Sequence, residues 1–148
     1  MNKRLAILAA LLAVILGGCS ESGDGSDLGS YAAQASEYLE KAANFAKEAS
    51  LKAEEAVHDE QAKEELKSKL IEMKKEINEF SQAEAPKMAE GLHQNITEKS
   101  GLLEEKIDRY LVRIENGTLD EDFLKKENFQ EPIDELKEAF EDLKEKGK

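Results

Sequence analysis

The chain has 148 residues and carries 33 Asp and Glu against 21 Lys and Arg, with two histidines and a single cysteine. Its formal net charge of -12 argues against nucleic acid and anionic lipid headgroups as partners of the protein surface, because like charges repel. One cysteine excludes an intrachain disulfide, and the length suits a single domain that depends on its apolar core alone.

Residues 1–18 have the layout of a secretory signal peptide. Lys3 and Arg4 precede an unbroken apolar run over residues 5–16, which two glycines and the cysteine follow. This run is shorter than the roughly 20 apolar residues that a membrane-spanning helix needs. The pattern therefore predicts export of the protein and removal of the leader.

The end of the leader, Leu16-Gly17-Gly18-Cys19, resembles the bacterial lipobox. The resemblance implies that Cys19 receives a diacylglyceryl group through a thioether and that the chain is cut just before it. At about 0.8 kcal/mol for each buried methylene, two acyl chains would anchor the protein firmly. The expected location is the outer face of the cytoplasmic membrane, although Ser20 would favour the outer membrane in a cell with two membranes. The alternative is an ordinary signal peptide followed by a chance cysteine.

Removal of the leader leaves 33 acidic and 19 basic residues, a net charge of -14. Residues 19–27 contain the cysteine and then small, polar and acidic residues without apolar periodicity, so they are predicted to form a flexible tether. Residues 28–148 are predicted to form the folded body, because apolar residues recur there at helical spacing.

The first predicted helix, about 28–57, has two apolar positions that repeat every seven residues. The members are Leu28, Ala35, Ala42, Ala49 and Ala56 at one position, and Tyr31, Tyr38 and Phe45 at the other. Core packing explains the aromatic residues better than a ligand groove does, because they keep the period of the alanines. Asp59 is placed to cap the following helix.

The second and third predicted helices repeat apolar residues at steps of three and four. The second covers about 61–83, and the third covers about 86–115 with Pro86 in its first turn. Their apolar residues are Ala62, Leu66, Leu70, Met73, Ile77 and Phe80, then Met88, Leu92, Ile96, Leu103, Ile107, Tyr110 and Ile114. Asn116-Gly117 forms a helix stop, since glycine adopts the left-handed conformation cheaply.

Two shorter helices follow. Thr118 and Glu121 have the spacing of a capping box for a helix that ends at Lys126, and the last predicted helix starts at Pro132. The core residues of this last helix are Ile133, Leu136, Phe140 and Leu143. Three long helices with one or two short ones, joined by short loops, predict an all-α fold, an antiparallel bundle of three to four helices.

Three strips of the body read YAAQASEYLEKAANFAKEA, LIEMKKEINEFSQAEAPKMAEGLHQNI and IDRYLVRIENGTLDEDF. They are similar to an uncharacterised family of small lipoproteins from Gram-positive bacilli. The resemblance covers most of the mature chain. Because no activity is assigned to that family, the resemblance implies no catalytic or ligand-binding residues.

No motif in the sequence predicts a catalytic site or a cofactor. His58 and His93 fall on different predicted helices, outside any metal-ligand spacing, and are expected at the surface. Adjacent glutamates such as Glu104 and Glu105 point to different sides of a helix and cannot share a proton. A nucleophile elbow and a glycine-rich phosphate loop are both missing from the sequence. We therefore expect a protein that is not an enzyme.

Residues 116–127, NGTLDEDFLKKE, offer one candidate metal site. Oxygen-bearing side chains occupy positions 1, 3, 5, 7 and 12 of an EF-hand-like loop, namely Asn116, Thr118, Asp120, Asp122 and Glu127. Position six is Glu121 instead of the glycine that the turn requires, and a helix stop with a capping box explains the same residues. Calcium binding is the weaker hypothesis, and the sequence assigns no metal ligand.

These patterns favour a cell-envelope lipoprotein that acts as a non-catalytic interaction or accessory module. Its expected partners are the membrane, through the lipid at Cys19, and an envelope protein. An acidic body near a membrane would steer basic segments of such a protein, and the association would weaken as salt rises. The alternative is a helical lipoprotein that binds calcium or a small apolar molecule.

Overall fold

The computed structural model describes the backbone of residues 24–146 and the side chains of residues 28–142. The predicted signal peptide (1–18), the predicted lipidation site Cys19 and residues 20–23 of the predicted tether lie outside the described residues, as does the side chain of Leu143. The helices are α1 Asp24–Ala56, α2 Glu60–Gln82, α3 Glu90–Glu115, α4 Glu121–Lys126 and α5 Gln130–Lys146, with a 3-10 turn, Lys87–Ala89, before α3. The described part of the chain contains no strand.

The four longer helices form an antiparallel bundle, which confirms the predicted all-α fold. α1 packs against α2 and α5, and α3 packs against the same two helices, so α1 and α3 lie on a diagonal. Ion pairs between α1 and α2 have antiparallel register: Lys41–Glu76, Glu48–Lys69 and Lys52–Glu65. Tyr31 and Tyr38 reach across the diagonal to His93 and Ser100, each 62 residues further along the chain, which shows that α1 and α3 run parallel.

The core follows the seven-residue repeat of α1. The alanines at 35, 42, 49 and 56 are fully buried, and Tyr31, Tyr38 and Phe45 are no more than 8% exposed. Small side chains at one position allow neighbouring helices to approach, while the rings at the other position supply most of the buried apolar area. The interpretation of this stripe as core is therefore confirmed.

Two of the predicted helix ends are confirmed by their hydrogen bonds. The Asp59 carboxylate accepts a hydrogen bond of 2.8 Å from the backbone N–H of Ala62, as an N-cap should. At the end of α3, Gly117 has φ +65°, and the N–H of Thr118 donates to the carbonyl of Arg113 at 2.9 Å. That six-residue closure satisfies a carbonyl that the helix end would otherwise leave unpaired.

Three predicted starts were wrong. α1 begins at Asp24, so residues 24–27 of the predicted tether are helical, because an existing helix extends with one new hydrogen bond for each residue fixed. The Thr118–Glu121 capping box does not start α4; Asp120, adjacent to the helix, accepts the Phe123 N–H at 2.8 Å instead. α5 begins at Gln130, two residues before Pro132, and proline fits in its first turn.

The start of the third helix also differs from the prediction. Pro86 has extended backbone angles, φ -62° and ψ 152°, and precedes the 3-10 turn Lys87–Ala89. The regular α-helix begins only at Glu90. A tight turn between α2 and α3 thus replaces the first turn of the helix that proline was expected to start.

Candidate functional site

The two histidines lie in different surroundings. His58 is exposed in the connection between α1 and α2, with its Nε2 3.7 Å from a Glu121 carboxylate oxygen. His93 lies half-buried near the start of α3: its Nδ1 is 3.0 Å from the Tyr31 hydroxyl, and its Nε2 is 3.2 Å from the Ser81 carbonyl. The surface prediction is confirmed for His58 and wrong for His93.

The surroundings of His93 are those of a packed polar cluster. The Tyr38 ring stacks on Phe80 with centroids 4.3 Å apart, and the Tyr38 hydroxyl donates a 2.7 Å hydrogen bond to Ser100. Burial raises the pKa of both Tyr31 and Tyr38 to about 12. Both phenols are therefore neutral near pH 7, and their hydroxyls bridge α1 and α3 across the bundle.

Residues 116–127 do not form the loop that an EF-hand-like pattern requires. Asp120 caps α4, and Glu127 lies beyond that helix, where it accepts hydrogen bonds from Arg109 at 2.8 Å and Lys106 at 3.3 Å. Burial opposes ionisation of Glu127, but these two cations outweigh it and lower the pKa of the carboxyl. Across the described residues, no group of three or more His, Cys, Asp or Glu side chains is placed to hold a metal ion.

A long groove runs between α1 and α2 on the surface of the described body. It consists of three adjoining depressions: the first two share Lys41 and Glu76 in their linings, and the second and third share Gln34. On α1 the groove runs from Ser30 to Glu48, about 27 Å at 1.5 Å per residue. We call it the α1–α2 groove; its lining is Ser30, Tyr31, Gln34, Glu37, Tyr38, Lys41, Asn44, Phe45 and Glu48, opposite Lys69, Glu72, Met73, Glu76, Glu79, Phe80, Glu84, Ala85 and Pro86.

The floor of the α1–α2 groove is apolar but closed. Its five large members are between 2% and 8% exposed: Tyr31, Tyr38, Phe45, Met73 and Phe80. These side chains already bury one another, so a partner would gain little apolar area by entering between them. Recognition along this groove must depend mainly on the charged rim.

The rim is strongly acidic. Six carboxylates line the groove, at positions 37, 48, 72, 76, 79 and 84, against two lysines, Lys41 and Lys69. Both lysines bridge the groove, Lys41 to Glu76 at 3.1 Å and Lys69 to Glu48 at 2.6 Å. The hydrogen bond from Lys69 lowers the pKa of Glu48.

Two rim carboxylates have no ion-pair partner within the described part of the chain, those of Glu72 and Glu84. Both side chains are exposed. Glu72 lies in the half of the groove near Glu48, and Glu84 lies in the half near Ser30. The groove therefore has net negative charge and two carboxylates free to pair with cations from another molecule. Sequence reasoning predicted an acidic body but not this groove, because its two sides are 21 (Glu48 to Lys69) to 56 (Ser30 to Pro86) residues apart along the chain.

Comparison with known proteins places the chain among proteins without an assigned activity. None of the helices in the described region is both long enough and apolar enough to span a bilayer. No solved structure matches the chain. It is 32% identical over 117 residues to an uncharacterized lipoprotein, YybP, of Bacillus subtilis (strain 168), a match that covers 79% of each chain. The model of a family of unknown function (DUF6376) matches residues 31–145, and the chain belongs to this family.

Proposed function

We propose that this chain is a membrane-anchored lipoprotein whose helical body binds a basic segment of another envelope protein and performs no catalysis. The anchor proposal is supported by the lipobox-like Leu16-Gly17-Gly18-Cys19 and by the name of the Bacillus subtilis relative, which calls that protein a lipoprotein. The proposed location is the outer face of the cytoplasmic membrane, with Cys19 carrying the lipid.

The acidic α1–α2 groove is the observation that carries the binding proposal. Its six carboxylates and two lysines suit a lysine- or arginine-rich segment that lies along the helices. Glu72 and Glu84 would pair first, because neither has a cation of its own to displace. An extended basic segment fits this surface better than an apolar helix, because the floor is already packed.

The short link to the proposed anchor keeps the groove close to the membrane. Cys19 and Asp24 are five residues apart, which span at most about 18 Å of extended chain. The groove begins at Ser30, within the first turns of α1. A partner segment next to the membrane would therefore meet the groove at high local concentration.

The proposal of a non-catalytic role is supported by the placement of the titratable groups. His93 is bonded within the bundle, His58 lies at the opposite end, and the phenols of Tyr31 and Tyr38 are neutral near pH 7. A catalytic site gathers such groups around one pocket with perturbed pKa values. The groove instead offers carboxylates suited to pairing.

Binding of a lysine-rich peptide to the full chain in non-ionic detergent micelles tests the proposal. Fluorescence anisotropy of the labelled peptide would be followed at rising ionic strength. We expect binding at low salt that weakens on the order of tenfold by physiological salt, because the Debye length falls from about 30 Å at 0.01 M to about 8 Å at 0.15 M. Salt-independent binding, or none at low salt, would contradict the proposal.

Two double variants with equal net charge locate the site. Glu72→Gln with Glu84→Gln removes the unpaired rim carboxylates, and Glu54→Gln with Glu115→Gln removes two exposed carboxylates that lie outside the groove and make no ion pair within the described body. At 0.2–1 kcal/mol for each lost exposed pair, the groove variant should weaken binding about two- to thirtyfold. Equal losses in the two variants would mean that overall charge, and not the groove, attracts the peptide.

A further inference from the structure

A second cavity lies between α3 and α4, outside the α1–α2 groove. Its volume is about 610 Å³, and it is open to solvent on one side. Residues from the last two turns of α3 face residues of α4 across it. Those that matter for binding are Arg109, Val112 and Arg113 on α3, and Asp122, Phe123 and Lys126 on α4.

Each carboxylate that lines this cavity already has a partner. Asp108 binds Lys74 at 2.6 Å, Asp122 lies 3.9 Å from Lys125, and Asp120 accepts the N–H of Phe123. Glu127 is bonded to Arg109 and Lys106. Asp108, Asp120 and Glu127 are therefore hydrogen-bonded within the protein, whereas the exposed Asp122 has only a long ion pair.

Two cations of the cavity have no carboxylate partner in the described region. The guanidinium of Arg113 lies 4.9 Å from the centroid of the Phe123 ring, and one of its nitrogens donates a long 3.4 Å hydrogen bond to the Thr118 carbonyl. Lys126 is exposed and makes no ion pair. An arginine held against a ring presents its remaining N–H groups as a fixed fork, which suits a carboxylate or another oxyanion.

The cavity also offers apolar surface next to these cations. Val112 is 53% exposed, and Phe123 forms part of the wall. A ligand with an apolar body could cover Val112 while its charged group reaches Arg113. The aspartates at 120 and 122 would repel a dianion more strongly than a monoanion.

We propose that the cavity between α3 and α4 binds a small monocarboxylate with an apolar body, with Arg113 and Lys126 on the carboxylate and Val112 on the apolar part. This inference does not depend on the α1–α2 groove. The proposed ligand is an anion, opposite in charge to the calcium ion that the pattern of residues 116–127 suggested.

Nuclear magnetic resonance of the full, isotope-labelled chain in detergent micelles tests this site, with phenylacetate as the probe. We expect saturable shifts at Val112, Arg113 and Phe123. Phenylacetamide keeps the aromatic ring of phenylacetate but has no charge. It should bind at least about tenfold more weakly than phenylacetate, because a charge-assisted hydrogen bond is lost. Inorganic phosphate is the second control and should bind more weakly than phenylacetate.

Variants separate the site from general attraction to positive charge. Arg113→Gln should weaken binding of phenylacetate at least about tenfold, and Lys126→Gln about two- to fivefold, because an exposed charge contributes less. Lys137→Gln removes an exposed lysine on α5 that makes no ion pair with the described side chains, and it should not change the affinity for phenylacetate. Lys126→Gln also guards against a folding artefact, because this exposed side chain makes no hydrogen bond or ion pair with the described residues. Absence of saturable shifts, tighter binding of phosphate, or equal effects of the Lys126 and Lys137 variants would overturn the proposal.

Discussion

Replacement of Phe45 by alanine tests how the bundle is held together. Phe45 lies on the aromatic stripe of α1, is 8% exposed, and meets Phe129 edge to face with ring centroids 5.2 Å apart. Phe129, just before α5, is fully buried. The pair therefore links α1 to the segment that positions α5, and alanine at 45 would leave a cavity between them.

The expected loss in the free energy of unfolding is about 3 to 4 kcal/mol. Buried Phe→Ala substitutions cost about 3–5 kcal/mol, a range that includes the lost aromatic contact. The lower part of the range applies here, because Phe45 also lines the floor of the α1–α2 groove, where solvent can reach the new space. Urea unfolding of residues 20–148, followed by circular dichroism, measures the change, and the slope with urea should stay the same.

Leu51→Ala is the matched control on the same helix. Leu51 is 59% exposed, so its removal should change stability by no more than about 0.5 kcal/mol. A loss below about 1 kcal/mol for Phe45→Ala, or an equal loss for both variants, would refute the view that the aromatic stripe forms the core.

Three other predictions concern the anchor, the tyrosines and the loop at 116–127. Cys19→Ser should block processing and membrane retention in cells, and a variant that is still cleaved and remains with membranes would contradict lipidation. Burial raises the pKa of Tyr31 and Tyr38 to about 12, so the folded state favours the neutral phenols; stability is intact below the ordinary value of 10.0 and should fall as pH rises from there towards 12. Tyrosinate absorbance should therefore appear together with loss of helical signal, and gradual ionisation of the folded protein would argue against burial. Sub-millimolar calcium should leave the melting temperature unchanged, whereas specific binding at 100 times the dissociation constant would add about 2.7 kcal/mol, an increase that Asp120→Asn would abolish.

The sequence was sufficient to predict the helices and most of the core, because each long element repeats its apolar residues over many turns. Met88, which the pattern placed on the third helix, is instead 72% exposed in the 3-10 turn. Ala35, Ala42 and Ala49 keep one period with Tyr38 and Phe45 beside them, and all five are buried. A repeat of this length predicts a long amphipathic helix and fits few other structures. Asp59 and Gly117 were predictable for a different reason, since each acts through local backbone geometry.

Helix starts were harder to predict because several residues compete for each cap. Thr118 and Asp120 could both begin α4, and in the structure Asp120 accepts the capping hydrogen bond. Asp24 and Gln130 begin their helices without an apolar signal, so the helical pattern alone placed both starts too late.

Features that join distant segments were not predictable from one sequence. His93 is half-buried because Tyr31, 62 residues earlier, lies on the opposite helix of the bundle diagonal. The α1–α2 groove likewise depends on the register that brings Lys41 to Glu76 and Glu48 to Lys69. Composition gave the sign of the charge, whereas the register decides where carboxylates remain unpaired.

The most direct test of the central claim is site-specific photocrosslinking of the lipoprotein in intact cells. A photoreactive residue at Asn44, an exposed and uncharged position that lines the α1–α2 groove, is compared with one at Glu115, which lies outside it. We expect a crosslink from position 44 alone, to a lysine- or arginine-rich segment of an envelope protein, that Glu72→Gln with Glu84→Gln reduces. Crosslinks of equal yield from both positions, or a crosslinked segment without basic residues, would contradict the proposed role of the groove.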